Sequence, residues 1–436
     1  MTSDSADIGV VPAGGALPEA LGDELVLTGP RARRPSAIRA WHAAAGACVV
    51  GIALVVVAAS RAEAPASSPI DPPRHWGLWL TAGVALGFAG YVAALSALRR
   101  QAASVGAVLL VAGVVQLAPL AGPTLLSTDA WTYWMYGRVA AVHGGDPYGD
   151  PPSAFPGDVA YSAMGSSWRD TTSLYGPLFT LGAEAHGRVA GDDPGRAAWL
   201  YRAFAALAVL GTAALAGSLA TRAAFAVAFV GWNPLLALHF GGGGHNDAAM
   251  MLLVVGALVL AARSRPNLAG IAWTAAIGVK WVAAAFLGLW LIDRARRREP
   301  LGLAGLATGA VAIAAVATAR YGTTWLGALD GLSSQARRTG SIGLSKWLAD
   351  VGLGHRAILV TIGLASVAAF AWLAVSAWRG RRRLGVSGSM AALGQGWLNP
   401  WYASWGVSLS ASEDDRLAWL LAVGLTGFLL LDVVPR

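Results

Sequence analysis

The sequence holds a single cysteine, Cys48, and little charge: only 13% of its 436 residues are Asp, Glu, Lys or Arg. One cysteine excludes an intrachain disulfide. So little charge excludes an ordinary soluble surface, because charged residues make up about a quarter of a typical globular chain. Short segments of alternating polarity, the mark of a transmembrane barrel, are missing, and continuous apolar runs stand in their place. The N-terminal stretch lacks the basic start and small-residue cleavage site of a signal peptide. No convincing internal repeat of the kind that builds transporters is found.

What is present is 56% hydrophobic residues, with 55 glycines. Small residues let membrane helices pack closely. The expected fold class is all-α: a polytopic transmembrane helix bundle of about 11–13 membrane helices including short hairpins, with large extracytoplasmic loops. The net charge of +8 does not point to nucleic acid. Much of the Lys and Arg sits in short clusters between apolar runs, the pattern that orients membrane proteins.

The basic clusters thread the chain. Residues 1–40 carry Asp4, Asp7, Glu19, Asp23 and Glu24 without periodicity and read as a disordered cytoplasmic tail. Residues 41–436 form the membrane domain. Arg31, Arg33, Arg34 and Arg39 hold the start of the run 41–60 inside. Runs 77–98 and 102–121 follow, and place a first large loop, 122–178, outside. Segment 176–190 reads as an interfacial helix; 195–219, 222–240 and 246–262 read as spans. Arg263 and Arg265, then Arg294 and Arg296–Arg298, both mark the inner side, yet too few residues separate them for two spans of about 20. Two short helices with Lys280 at their outer tip reconcile these clusters, where one long helix with a snorkelling Lys280 does not. Run 300–319 leads to a second outer loop, 320–354; 356–378 returns, 385–411 reads as a second short hairpin with WLNPWY (397–402) at its tip, and 417–433 closes the chain.

The polar motifs all fall on the outer side. Asp129 follows Ser127 and Thr128 at the membrane boundary: a carboxylate there serves as a general base or as part of a helix cap. WTYWMYGR (131–138) reads as an aromatic belt, or as a sugar-stacking surface of Trp131, Tyr133 and Trp134 with Arg138 facing a phosphate. Tyr175 lies in SLYGP (173–177), where Pro177 suits a first helical turn. In GGGGHND (241–247), His245, Asn246 and Asp247 cluster at the start of an apolar helix, where ionisable groups are costly unless they face a polar cavity; capping by Asn246 or Asp247 is the plainer reading. One His and one Asp make a poor metal site, so none is expected, although a divalent ion is left open. Arg337, Arg338 and Lys346 form an outer basic patch whose plainer reading is a solvated loop.

The ordered series from residue 100 to 410 resembles the GT-C glycosyltransferases. It comprises an outward Asp129, an aromatic helix ending in GR, DPY, W-x-x-x-x-S-x-YGP, the His-Asn-Asp helix start, an isolated Lys280 and a late PWY. The nearest resemblance is to the polyprenol-phosphomannose-dependent α-1,6-mannosyltransferases of actinobacteria. The chain departs from many relatives in placing its Asp after the third apolar run rather than the first, and in having no acidic neighbour beside it. The resemblance implies Asp129 as catalytic carboxylate, Lys280 facing the donor phosphate, and His245, Asn246 and Asp247 lining the same cavity, with Trp401 and Tyr402 beside the sugars. It implies a polyprenyl-phosphate sugar donor, a glycolipid acceptor, a lipid bilayer around the chain, no cofactor, and inverting transfer at an extracytoplasmic site that builds an α-1,6-linked mannan. Arabinose or glucose as the sugar, and transport of a lipid-linked glycan, are the other readings.

Overall fold

The computed structural model describes residues 40–62, 74–335 and 337–434, and the expected tail lies outside the described residues apart from residue 40. No strand occurs among them. The longer helices are α1 (Ala40–Arg61), α2 (Arg74–Leu98), α3 (Val105–Leu117), α4 (Asp129–Ala141), α5 (Pro177–Ala190), α6 (Pro194–Leu219), α7 (Ala223–Gly231), α8 (Asp247–Ala262), α9 (Pro266–Val279), α10 (Ala283–Arg296), α11 (Leu303–Tyr321), α12 (His355–Trp378), α13 (Leu384–Leu393), α14 (Ala403–Ala411) and α15 (Arg416–Leu430). Among the described residues five helices are long and apolar enough to cross a bilayer: α1, α6, α11, α12 and His75–Leu98 of α2. The protein is a polytopic helical membrane protein.

Close packing follows from the small residues. In α1 against α2, a Cβ on Gly51 would sit 2.3 Å from the backbone nitrogen of Gly87, so a larger side chain there would push the pair apart.

The segment read as one span, 222–240, is broken. Ala223–Gly231 and Pro234–Gly241 meet at a bend of 41°. Pro234 has no N–H to donate to Val230, and it disfavours helical geometry at Asn233. In an apolar interior the freed backbone groups need partners. Tyr91 donates to the Phe229 carbonyl at 2.8 Å and Gln116 to the Gly231 carbonyl at 3.0 Å. The Asn233 side chain accepts from Leu236 N–H and donates to Thr426.

The basic clusters gather at one end of the bundle. A cavity of about 650 Å³ there is lined by Ser264, Pro266, Asp293, Arg294, Arg382 and Glu413 among others, so α9 begins and α10 ends at the same level. Trp273 of α9 meets Trp290 of α10 with ring centroids 5.7 Å apart. Together these contacts define a hairpin of two short helices that breaks at Lys280, whose backbone is extended. Segment 384–411 is likewise two short helices, α13 and α14, packed so closely that a Cβ on Gly388 would lie 2.5 Å from the Trp405 backbone. Segment 122–176 is far from a loose loop. Within it, α4 is an interior helix, with Tyr133, Trp134, Met135 and Tyr136 buried. This differs from the expected aromatic belt, because α5, α6 and the turns at 152–168 cover the helix from several sides.

Candidate active site

At the end opposite the basic cavity, four chain segments meet. Leu126 adopts a left-handed backbone (φ 64°) and is buried, which turns the chain sharply into α4. Such strain in a bulky residue is held only where the surroundings fix it. Ser127 Oγ accepts the Asp129 N–H at 3.0 Å. The Asp129 carboxylate is therefore free of capping duty.

The glycine loop 241–244 is pinned beside it. Leu125 N–H donates to the Gly242 carbonyl at 2.9 Å. The buried Arg202 of α6 donates to the carbonyls of Gly241 (2.9 Å) and Gly122 (3.0 Å), tying both loops to one guanidinium. This pinning brings His245 to Asp129: Nδ1 lies 3.1 Å from Oδ2. An ionised carboxylate can only accept, so Nδ1 carries the proton in this contact. The Tyr133 hydroxyl donates to the same oxygen at 3.2 Å. Trp401 stacks on the His245 ring at 3.7 Å and fixes its plane.

A second pair stands alongside. Lys280 Nζ donates to Asp247 Oδ2 at 2.7 Å, and Trp405 Nε1 to Asp247 Oδ1 at 2.6 Å. The Lys280 ammonium lies 5.0 Å from the Tyr402 ring centre, and Tyr402 stacks on Trp405. Lys280 reaches this position because 173–177 seats against the hairpin tip: Gly176 N–H donates to the Val279 carbonyl at 3.2 Å, and a Cβ on Gly176 would collide with the Gly278 carbonyl at 2.2 Å. Tyr175 meets Tyr133 edge-on at 5.1 Å.

Exposure separates front from back. The side chains of Asp129 and Lys280 are 14% and 18% exposed, whereas those of His245 and Asp247 are 0% exposed. Asp129 and Lys280 thus present one acceptor and one cation to the opening, each backed by a buried partner. Asp129 lies outside the five spans. Burial pushes its carboxyl up, but the His245 hydrogen bond, the Lys280 charge and the Tyr133 hydroxyl outweigh that and hold it below the usual carboxylate range.

Of the residues singled out in the sequence, the structure brings together Asp129, Tyr133, Tyr175, His245, Asp247, Lys280, Trp401 and Tyr402. Asn246 sits at the start of α8 between them; it makes no capping bond, and both polar atoms of its side chain are buried without a partner among the described residues. Three residues lie elsewhere. Arg138 is nine residues along α4 from Asp129, where its guanidinium is committed to Asp158 (2.8 Å) and Asp192 (2.7 Å). Its side chain is buried, and these two pairs hold it away from Asp129 and Lys280. Trp134 is fully buried beside it, and Trp131 donates its Nε1–H to the Pro194 carbonyl, away from the opening. The helix simply turns these indoles to its other faces. Trp405 was missed by the sequence reading; its place one turn beyond Trp401 was the available sign. No group of three or more His, Cys, Asp or Glu that could hold a metal occurs among the described residues. The cavity at the basic end is a weaker candidate: Arg294, Arg297 and Arg382 there all pair with acidic groups.

A polytopic membrane protein with a poised carboxylate and a cation at one end, walled by aromatic rings, has the architecture of a membrane-embedded enzyme. Residues 40–295 match the family described as alpha-(1->6)-mannopyranosyltransferase, N-terminal domain, and the chain belongs to that family. No curated protein and no solved structure matches it significantly. The protein is accordingly a mannosyltransferase, a glycosyltransferase that takes a sugar donor and an acceptor.

The pairing of Arg138 with Asp158 has a measurable consequence. Arg138→Ala should lower stability by about 3–5 kcal/mol, because it strands the Asp158 carboxylate, 1% exposed, without its main partner. Thermal unfolding in detergent measures this. At a temperature where the variant stays folded, its donor KM should match the wild type.

Proposed function

We propose that the protein transfers mannose from a polyprenyl-phosphate carrier to a glycolipid or lipoglycan acceptor, with inversion, on the extracytoplasmic face. The observation that carries this reading is the pairing of Asp129 with Lys280 at one opening. The acceptor hydroxyl gives its proton to Asp129 as its oxygen attacks the anomeric carbon. The bond from that carbon to the phosphate oxygen breaks, and its electron pair leaves with the phosphate, whose growing charge Lys280 stabilises. Attack opposite the leaving group converts a β-linked donor into an α-linked product.

Two further features support a lipid-borne donor. An apolar groove of about 530 Å³ runs along α5, α6 and α8, lined by Leu178, Phe179, Phe204, Leu252 and Val279. Its wall touches the site: Phe179 packs on Tyr133 at 5.0 Å, and Val279 adjoins Lys280. The basic loops gather at the opposite end, and such loops stay cytoplasmic. That favours an outward-facing site, where nucleotide sugars are not made.

The test is incubation of membranes containing the protein with radiolabelled polyprenyl-phosphate mannose, arabinose and glucose, followed by product analysis. Incorporation of mannose into α-1,6 linkage is the expected result. Transfer only from a nucleotide sugar, or from a different polyprenyl sugar, would replace this reading.

A pH profile follows from the electrostatics. The base form of Asp129 is present above its depressed pKa. Turnover should therefore hold as pH falls to the normal carboxylate range and drop only below it. A base limb of the profile centred near pH 6 would mean that the proton acceptor is not a carboxylate with a depressed pKa, and would contradict the assignment.

A further inference from the structure

The site described so far is short of positive charge. Two carboxylates, Asp129 and Asp247, face one ammonium, Lys280, and that ammonium is already paired with Asp247 at 2.7 Å. A phosphate diester brings one more negative charge, and a second develops on it as the sugar departs. A further cation is needed at the opening.

Arg338 is placed to supply it. The segment that carries it, in the second long connection, pairs with the α13–α14 tip: Gly340 N–H donates to the Gly396 carbonyl at 2.9 Å. The Arg338 guanidinium sits 5.0 Å from the Trp168 ring centre and 5.4 Å from that of Trp397. The two indoles are parallel to within 9°, with centroids 5.9 Å apart. Trp397 belongs to the same tip as Trp401 and Tyr402. Trp168 lies against the first turn of α4: a Cβ on Gly165 would touch both Trp168 Cδ1 (3.0 Å) and Thr128 Oγ1 (2.8 Å), and Thr128 precedes Asp129. Among the described residues no carboxylate lies within ion-pairing distance of Arg338. Its charge is therefore unpaired, and the two rings seat it by cation–π contact without taking up its N–H donors, which leaves the guanidinium fork for an oxyanion.

We infer that Arg338, seated against Trp168 and Trp397, is a second cation for the donor phosphate. The inference rests on the polyprenyl-phosphate reading of the donor. It also gives the outer basic patch a role: one of its three cations faces the site.

Inhibition by polyprenyl monophosphate, the spent carrier, tests it in the full-length protein in membranes. Arg338→Ala should weaken inhibition by that lipid about tenfold to a hundredfold, the loss expected for a hydrogen bond between two ionised groups. It should raise the donor KM in parallel and leave the acceptor KM unchanged. Arg338→Lys, which keeps the charge but loses the fork, should recover part of the effect. If Arg338→Ala is inhibited like the wild type, or if donor and acceptor KM rise together, Arg338 is a latch between two connections and the inference is wrong. A wild-type protein that neither uses polyprenyl-phosphate mannose nor responds to the monophosphate would remove the donor reading itself. A folded variant that still binds the monophosphate normally would remove only the role of Arg338.

Discussion

Asp129→Asn should abolish mannosyl transfer, with a fall of about 10²–10⁴-fold in rate while the protein stays folded and abundant. The substitution preserves shape. The side-chain oxygen can still accept from Tyr133 and His245, so the contacts that position the chain at α4 persist. What is lost is the ability to take up a proton from the acceptor hydroxyl. The alternative for Asp129, a helix cap, predicts the reverse: altered stability with retained turnover. The structure weakens that alternative, because Ser127 Oγ and not Asp129 accepts at the first turn. Initial rates in membranes, set beside the elution profile of the solubilised variant, separate the two. A near-normal rate would reject Asp129 as the base.

Lys280→Ala should have the second largest effect, on both stability and turnover. Asp247 is fully buried, and Lys280 is its ionic partner. Removing the ammonium leaves a buried carboxylate whose remaining side-chain partner among the described residues is the Trp405 indole, at a cost of about 3–5 kcal/mol. Pairing the change with Asp247→Asn isolates the catalytic part. The double variant carries no stranded charge, so its melting temperature should return most of the way to wild type. Its donor KM should stay raised and its turnover low, since no cation then stands at the hairpin tip. A double variant with normal melting and normal kinetics would make the pair purely structural.

The legible parts of this molecule are those set by counting. Some 28 residues between two basic clusters cannot hold two spans, so the hairpin α9–α10 and the tip position of Lys280 follow from length and charge alone. The second hairpin, at 384–411, was legible from the same kind of marker despite its Gly and Ser content. Asn233-Pro234 was an equally local sign of a break, and reading 222–240 as one span passes over it. Other features leave no local trace. The aromatic run 131–138 reads as a membrane belt because every turn of it carries a ring; which rings are buried depends on α5 and α6 covering them. Arg138 looks available in the sequence because its partner, Asp158, lies 20 residues away in a stretch of turns. Arg338 looks solvated for the same reason, since Trp168 and Trp397 come from distant segments.

Composition and charge spacing by themselves determined that this chain is a helical membrane protein, where its short hairpins fall, and which end of the bundle is basic. A bilayer imposes these through burial of apolar length and retention of cations on one side, and both act on contiguous sequence. Only the tertiary structure decided which polar residues share an opening. It set His245 against Asp129 and Asp247 under Lys280, and it drew Arg138 and Trp134 away from them. Contacts between residues 20, 33 and 116 apart in the chain depend on how loops are pinned and helices packed, and no spacing along the chain encodes that.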